Sequence, residues 1–414
     1  YEIHWRDWSS DVCSSDLNLT YTFSSKLKTL SFILMAIGAI SIGISFATNP
    51  DQTWANLMHN NFYFLTIALG GLFFYAVQYA AEVGWSVYII RIPLAMSQYL
   101  WISGVIMLIL FFAAGHHIWH WTHHELVMET LPDGKPNPDY DEILAGKSAY
   151  LNVPFFLIRM VAYFVIWYGF AVLLRKHAMK EDLSGAIEHH NRSRKLSIIF
   201  LVLFAVTSST SAWDFVMSID SHWFSTLYGL YTFSGIFVSS LGVIALIIVY
   251  LRSQGYLHHL NENHLHDVGK FIFAFSIFWT YLWFAQFMLI WYANLPEEVT
   301  YFMERQDYYK TLFVTNFLVN FILPFVVLMT RDAKRKLRLL AILGSVIFIG
   351  HWIDTYLMVV PGIMHEKWTI GVLEIGTTLG FMGMFIFTVF TALTKLSLLP
   401  QKHPMLQESE HFTL

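Results

Sequence analysis

Cysteine is almost absent from this chain, which has a single one, Cys13, among 414 residues. One cysteine cannot close a disulfide within the chain, ligate an iron–sulfur cluster or supply a CxxCH haem site. Charged residues are scarce too, at 13% with a net charge of −4, so the composition does not indicate a nucleic-acid partner. The sequence also lacks the GxGxxG and GxxxxGK[ST] phosphate-binding loops. These absences argue against nucleotide, nucleic-acid and thiol chemistry.

Hydrophobic residues are abundant instead, at 56% of the chain, and they occur in long runs. A run of about twenty apolar residues crosses a hydrocarbon layer of about 30 Å as a helix. The sequence therefore predicts an all-α polytopic membrane protein with about ten transmembrane helices. The predicted spans are residues 27–47, 62–82, 90–114, 151–174, 196–217, 224–250, 270–293, 311–330, 338–360 and 371–395.

The first seventeen residues differ from the rest of the chain. They contain the near-repeat SSDVCSSD, and they have neither the basic start nor the apolar core of a signal peptide. We expect residues 1–17 to be a non-native leader, with the native chain beginning near Asn18. Residues 18–395 then form a single ten-helix domain, followed by a tail of residues 396–414.

Basic residues predict the orientation. Eighteen Lys and Arg residues fall in the tails and loops on the side of the chain termini, against five in the loops on the opposite side. Because basic loops stay in the cytoplasm, we predict that both termini, including the tail 396–414, are cytoplasmic.

Several polar side chains fall inside the predicted spans. A charge at such depth costs several kcal/mol unless it is paired or wetted, so these residues are candidates for function. A structural ion pair between Arg159 and Asp214 is an equally good interpretation of those two residues. The candidates are Arg159, Asp214, Gln286, His351, Asp354 and Glu374.

A histidine-rich segment, GHHIWHWTHHE, opens the loop after the third predicted span. If the helix continues, His116, His120 and His124 stack at i, i+4 and i+8, a spacing that could bind a metal. No carboxylate or thiolate completes an obvious ligand set, so we interpret the segment as an interfacial helix end and predict no metal site. Only His351 is expected to lie deep in the bilayer, so haem ligation by this chain is not expected either.

The stretch from Asn261 to Glu298 combines a full span with three polar or aromatic side chains on one face. Trp279, Trp283 and Gln286 follow helical spacing. Helix packing accounts for the two Trp residues, whereas an amide in lipid needs a partner.

Four segments carry a resemblance to a known family. They are YLNVPFFLIR, SAWDFVMSIDSHWFSTLYG, NENHLHDVGKFIFAFSIFWTYLWFAQFMLIWYANLPEE and GHWIDTYLMVVP. These segments resemble NrfD-like (polysulphide-reductase-type) membrane subunits. The similarity is greatest to the second quinone-binding-type membrane subunit of bacterial alternative complex III, a quinol:cytochrome c oxidoreductase, and it covers the chain from about Thr22 to Pro361.

The resemblance implies an architecture and partners. It implies two four-helix bundles, residues 62–217 and 224–360, flanked by one helix at each end, 27–47 and 371–395. It places the chain in the bacterial cytoplasmic membrane. The implied partners are an iron–sulfur subunit, a multihaem cytochrome c subunit and a paralogous NrfD-like membrane subunit.

The leading functional hypothesis is a quinone-binding-type subunit that supports menaquinol or ubiquinol oxidation and electron transfer towards cytochrome c, without being catalytic on its own. Asp214, His116 and His117 are its expected proton acceptors. The residues expected to hold the quinone are Arg159, Gln286 and Trp213.

Two alternatives remain open. The chain could bind no quinone and provide a proton path or structural support, with His351, Asp354 and Glu374 as its polar interior. It could also be a free-standing secondary transporter, which would call for broken helices near the midplane. Pro324 is the one proline well inside a predicted span.

Overall fold

The computed structural model describes residues 20–130 and 135–413. The leader 1–17, with Cys13, lies outside these residues, as does the Pro132-Asp133-Gly134 part of the long loop. The described part is helical and contains no β-strand, only two isolated β-bridges.

Ten helices are long and apolar enough to cross a membrane, which confirms the predicted number among the described residues. The chain is a multi-pass membrane protein. In chain order the spans are Ser25–Thr48, Pro50–Ala80, Arg91–Ile118, Val153–Ser184, Ile187–Ile219, Tyr228–Ser253, Glu262–Ala293, Lys310–Leu328, Leu337–Met364 and Val372–Leu393.

Several spans begin well before the apolar run predicted for them. The second span begins at Pro50, twelve residues before the predicted start, because the Asn49 side chain accepts a hydrogen bond from the backbone N–H of Gln52 and Pro50 occupies the first turn. The seventh span begins at Glu262 with a capping box between Asn261 and His264. These caps extend the helices through polar residues that a hydropathy window excludes.

The second and sixth spans form the centre of the molecule, and most of their residues are buried. They pack against each other, where the Ser240 hydroxyl donates to the Ile67 carbonyl at 2.6 Å. The second span also contacts the third and fifth spans, and the fourth span contacts those same two. In the same way the sixth span contacts the seventh and ninth, and the eighth contacts those two.

The first and tenth spans pack closely along their length. Small residues make this possible: a Cβ on Gly38 would lie 2.3 Å from Cα of Gly380, so only glycine allows the two backbones to approach this far. Ser31, Ser41 and Gly376 extend the same interface.

The ten spans have two ends, which we name by what lies there. The terminal side carries both described ends of the chain: Thr20 forms a bridge with Ser397, and the Ser409 hydroxyl donates to the Trp85 carbonyl at 3.0 Å. The loop side carries the connection from the third to the fourth span and the short helix Pro296–Asp307.

The third span ends at Ile118, because Trp119 adopts an extended conformation. Two separate 3₁₀ turns follow, His120–Thr122 and His124–Val127. The helix does not continue through this segment, so His116, His120 and His124 do not stack on one helical face.

Candidate functional site

Asp354, on the ninth span, is the centre of the most extensive buried polar cluster. Its side chain is 1% exposed. It accepts a short hydrogen bond from the Tyr231 hydroxyl, one from Trp279 Nε1 at 2.9 Å and one from Asn316 Nδ2 at 2.9 Å. The three donors lie on the sixth, seventh and eighth spans, and Asp354 lies on the ninth. Side chains of four spans therefore meet at one carboxylate. We call these four residues the Asp354 cluster.

The eighth span reaches this cluster through an irregular segment. Residues Leu318–Ile322 form a π-helical turn within the span. Pro324 follows it and has no backbone N–H to donate to the preceding turn, which favours such a change of hydrogen bonding. The segment carries Asn320, whose amide donates to Asn316 Oδ1 at 2.6 Å. The hydrogen bond from Asn320 thus orients the Asn316 amide, which donates to Asp354.

His351 lies beside the cluster, and its imidazole forms no hydrogen bond with the described residues. Its Nδ1 is 3.4 Å from Asp354 Oδ2, yet neither ring nitrogen has a well-aligned partner among the described residues. The imidazole is 2% exposed. A buried ring with two free nitrogens is unusual, and it leaves room for proton exchange with Asp354 or with water.

A small cavity of about 20 Å³ borders the cluster on its loop side. Its lining includes Tyr231, Asn316 and Gln286, together with Tyr301 and Arg305 from the helix Pro296–Asp307. Gln286 is buried, and its Nε2 has no partner among the described residues. The cavity has room for about one water molecule, which Gln286 could bind.

Arg305 connects this cavity to the loop side. Its guanidinium is 2% exposed and lies 3.2 Å from the centroid of the Tyr301 ring. It donates to the Leu357 carbonyl at 2.9 Å, to the Tyr301 carbonyl at 2.8 Å and to Asp220 Oδ2 at 3.2 Å. Arg305 is one of the five basic residues in the loops opposite the termini, and the sequence did not indicate that it is buried.

An open basin of about 810 Å³ lies beyond Arg305 on the loop side. An adjoining cavity of about 450 Å³ is lined by Asp220, Glu304 and His365. Glu304 Oε1 is 2.7 Å from His365 Nδ1, and this bond raises the pKa of His365 above its usual 6.5. Burial raises the pKa of Asp220, against the opposing effect of Arg305. Residues lining what we call the loop-side basin include Asp51, His116, His117, His120, His123, Glu304 and His365.

Asp214, on the fifth span, belongs to a second cluster. It is 1% exposed and forms a bidentate ion pair with Arg159, with both donor–acceptor distances at 2.8 Å. The Tyr163 hydroxyl donates to Asp214 Oδ2 at 2.7 Å. The structural ion pair that the sequence offered as one interpretation of these two residues is therefore present. The Arg159 guanidinium also stacks on Tyr150 at 3.9 Å and on Phe155 at 4.2 Å, and both of these rings are partly exposed.

The other predicted site residues do not join Asp214. His116 Nδ1 is 3.0 Å from the Thr122 hydroxyl, and His117 Nδ1 is 3.2 Å from Asp51. Gln286 faces the cavity next to the Asp354 cluster. Trp213 is partly buried, and its indole N–H has no partner among the described residues.

Glu374 occupies a third polar site, separate from the Asp354 cluster. Gln52 Nε2 donates to Glu374 Oε1 at 2.9 Å, and the Gly371 N–H donates to Oε2 at 2.7 Å. The carboxylate thus caps the tenth span and ties it to the second. His351 and Asp354 are neighbours, as predicted, whereas Glu374 has different partners.

Sequence reasoning missed the polar face of the second span. His59 is fully buried, with Nε2 3.0 Å from the Trp352 carbonyl, and Asn60 Oδ1 accepts from Trp352 Nε1 at 3.2 Å. His59 is thus a further buried histidine, which the sequence did not predict. Asn49-Pro50 is a helix-start pattern in the sequence, and it would have placed His59 and Asn60 inside the second span.

Three further side chains meet on the terminal side. Glu181, His190 and His403 have potential ligand atoms within 4.8 Å of one another. Burial lowers the pKa of His403 to about 4. Glu181 and His190 lie nine residues apart at the two ends of one short connection, whereas His403 is distant in sequence, and no spacing motif links the three.

Comparison with known protein families finds no match, and no curated protein matches the chain either.

Proposed function

We propose that this chain is the NrfD-like membrane subunit of a respiratory quinol:cytochrome c oxidoreductase of the alternative complex III type. Within that complex, its own contribution is proton exchange between the Asp354 cluster and the water of the loop-side basin. The four sequence segments quoted above support the family assignment. The observation that carries the proton role is the succession of polar groups between Asp354 and the basin, which includes Tyr231, Asn316, Arg305 and Glu304.

The series has three steps. Asp354 and His351 form the inner end, where a proton can be accepted and returned. Tyr231, Asn316 and Gln286 surround a cavity of about 20 Å³, which has room for about one water molecule to carry the proton on. Arg305, with Glu304 and His365 behind it, leads to the basin. Each step uses groups that exchange protons or orient water.

The size of the inner cavity favours protons over quinone at this cluster. Pockets for small organic ligands are typically several hundred Å³. A space of about 20 Å³ is more than tenfold smaller than such a pocket. At the Asp354 cluster, the proton-path hypothesis is therefore the better one.

The finer topology is part of the same proposal. The helix contacts support two four-helix bundles, the second to fifth spans and the sixth to ninth, joined through the second and sixth. The first and tenth spans form a pair outside both bundles. The distribution of basic residues supports a cytoplasmic terminal side, so that the loop side faces the positive side of a bacterial cytoplasmic membrane. Electrons would pass to an iron–sulfur partner and then to a multihaem cytochrome c.

The test is Asp354→Asn in the intact complex reconstituted into vesicles, with proton release and quinol oxidation measured together. The change keeps the shape of the side chain and removes the proton-accepting group. We expect proton release to fall about tenfold or more, while the apparent KM for quinol stays unchanged. Asp307→Asn, at an exposed position on the loop side, is the control. Normal proton release from a fully assembled Asp354→Asn complex would overturn the proton role.

A quinol site at Asp214 is the second candidate, and the position of Arg159 favours it. The guanidinium lies between two partly exposed aromatic rings and is paired with a buried carboxylate. A quinol head group could reach it from the lipid, donate a proton to Asp214 and place an oxygen against Arg159.

Arg159→Lys and a photoreactive quinone test this second candidate. Lysine keeps the charge but loses the bidentate fork, so the KM for quinol should rise about tenfold with little change in proton release per electron. The photoreactive quinone should label the segment around Tyr150 and Arg159. Labelling confined to another subunit would show that this chain does not bind quinol.

A further inference from the structure

Three buried side chains converge on the terminal side, far from the clusters described above. Glu181 lies near the end of the fourth span, His190 near the start of the fifth, and His403 in the segment after the tenth. They are 1%, 4% and 7% exposed. Their potential ligand atoms all lie within 4.8 Å of one another.

Two of these groups lack hydrogen-bond partners. Glu181 Oε1 and His190 Nδ1 are 3.5 Å apart, yet neither forms a well-aligned hydrogen bond among the described residues. Glu181 Oε2 accepts from the Tyr79 hydroxyl at 3.3 Å. The nearby cation Arg91 is paired with Asp182 at 2.6 Å. A buried carboxylate oxygen and a buried imidazole nitrogen are thus left facing each other, which is an arrangement that a cation would satisfy.

We propose that Glu181, His190 and His403 bind a divalent transition metal of the Zn²⁺ type. Two imidazoles and one carboxylate form a ligand set that zinc accepts, with one position left for water. The Tyr79 hydroxyl then holds the second carboxylate oxygen, as outer partners of metal ligands commonly do.

The geometry requires one modest movement. Ligand atoms of a tetrahedral zinc site lie about 3.3 Å apart. Glu181 Oε1 and His190 Nδ1 are already 3.5 Å apart, so His403 is the ligand that must move towards the other two. His403 Nδ1 accepts a 3.2 Å hydrogen bond from the Met405 N–H. Coordination through Nε2 moves the ring proton to Nδ1 and gives up that contact in exchange for the metal bond.

Binding would join three separate segments of the chain. The segment around His403 already touches the end of the fourth span, where Lys402 Nζ donates to the Leu183 carbonyl at 2.5 Å. A metal at this site fastens the C-terminal segment over the ends of the fourth and fifth spans. Its role is therefore structural, and it does not depend on the function proposed above.

The test is a Zn²⁺ titration of the purified full-length chain against a competing chelator, with limited proteolysis of residues 394–414 as a second readout. We expect one Zn²⁺ per chain and slower cleavage of the segment when Zn²⁺ is present. His403→Gln and Glu181→Gln should each weaken binding at least tenfold and abolish the protection. The matched controls, His189→Gln and Glu188→Gln, should bind as the unaltered chain does.

His403→Gln decides the outcome even if Glu181→Gln does not fold, because His403 lies outside the membrane spans. Binding of equal strength and stoichiometry in His403→Gln would overturn the proposal. So would the absence of stoichiometric Zn²⁺ binding by the unaltered chain, or cleavage of the C-terminal segment at the same rate with and without Zn²⁺.

Discussion

Arg305 stabilises the loop side through three separate interactions. It stacks on Tyr301, donates to two backbone carbonyls and pairs with Asp220. The two carbonyls belong to the ninth span and to the helix Pro296–Asp307, so one guanidinium joins both elements. A lysine ammonium is compact and cannot reach three acceptors in this fork geometry.

We therefore predict that Arg305→Lys lowers the free energy of unfolding by about 2 kcal/mol. Breaking a fully buried pair costs about 3–5 kcal/mol, and the smaller value reflects the retained charge and the 19% exposure of Asp220. Thermal unfolding in detergent measures the change. Arg338→Lys, at an exposed position on the terminal side, is the control. Equal melting temperatures for the two variants would contradict this role of Arg305.

His365 should give the loop side a pH dependence. Its pKa is raised above 6.5 by the bond to Glu304, so the folded state holds the proton more tightly than the unfolded state does. The stabilisation is complete below pH 6.5 and is lost as the pH rises through the raised pKa. The His365 side chain is 62% exposed, so solvent screening keeps the effect small.

Hydrogen exchange of residues 296–307 and 361–371 measures this dependence. In the unaltered chain, protection of both segments should decrease as the pH rises above 6.5 by more than the ordinary pH effect on exchange rates. His365→Gln should remove that additional decrease, and His124→Gln should leave it intact. Identical profiles for all three proteins would show that the Glu304–His365 bond does not control the loop side.

Among the elements, the first and tenth spans depend most on small side chains. Their backbones approach so closely at Gly38 that a methyl group there would lie 2.3 Å from Cα of Gly380. Gly43 lies on the same helix, and a Cβ built there has no neighbour within 4 Å. The two glycines therefore separate the effect of packing from that of helix propensity.

We predict that Gly38→Ala destabilises the protein by about 1–3 kcal/mol, since the two helices must move apart. Gly43→Ala should be neutral or slightly stabilising, because alanine favours the helix and meets no obstacle. Thermal unfolding and cross-linking between the first and tenth spans measure the two effects. A similar loss of stability in both variants would mean that the close approach is not what holds these spans together.

The elements also show where hydropathy succeeds and where it fails. Apolar runs located all ten spans, since a helix facing lipid must be apolar for about twenty residues. The beginning of the second span was missed because Asn56, His59 and Asn60 are polar but lie between helices. Neighbouring spans satisfy these side chains, and a sequence window does not include those neighbours.

At the scale of the whole molecule, the sequence predicted that Arg159 lies near Asp214 and His351 near Asp354, and it missed the other polar contacts. Arg159 and Asp214 could be paired because they are opposite charges at similar depth on adjacent spans. The donors to Asp354 are Tyr231, Trp279 and Asn316, which come from three spans that only the packing brings together. The separation of Glu374 from Asp354 depends on packing in the same way, because the tenth span pairs with the first and contacts the second.

The orientation of the whole molecule is the prediction on which the direction of proton exchange depends. Eighteen basic residues on the terminal side against five on the loop side predict that the termini lie in the cytoplasm. Asp139, on the loop side, and Glu188, on the terminal side, are both exposed. After Cys13→Ser removes the single cysteine of the chain, Asp139→Cys and Glu188→Cys can each carry a unique thiol.

A membrane-impermeant maleimide should label Asp139→Cys in intact cells, and Glu188→Cys only after the membrane is opened. The Cys13→Ser background without a new thiol is the control for unspecific labelling. If Glu188→Cys is labelled first, the loop-side basin faces the cytoplasm. Proton release through Arg305, Glu304 and His365 would then run towards the wrong compartment. That result would show that the basin does not release protons on the positive side of the membrane, even if Asp354 proves essential for turnover.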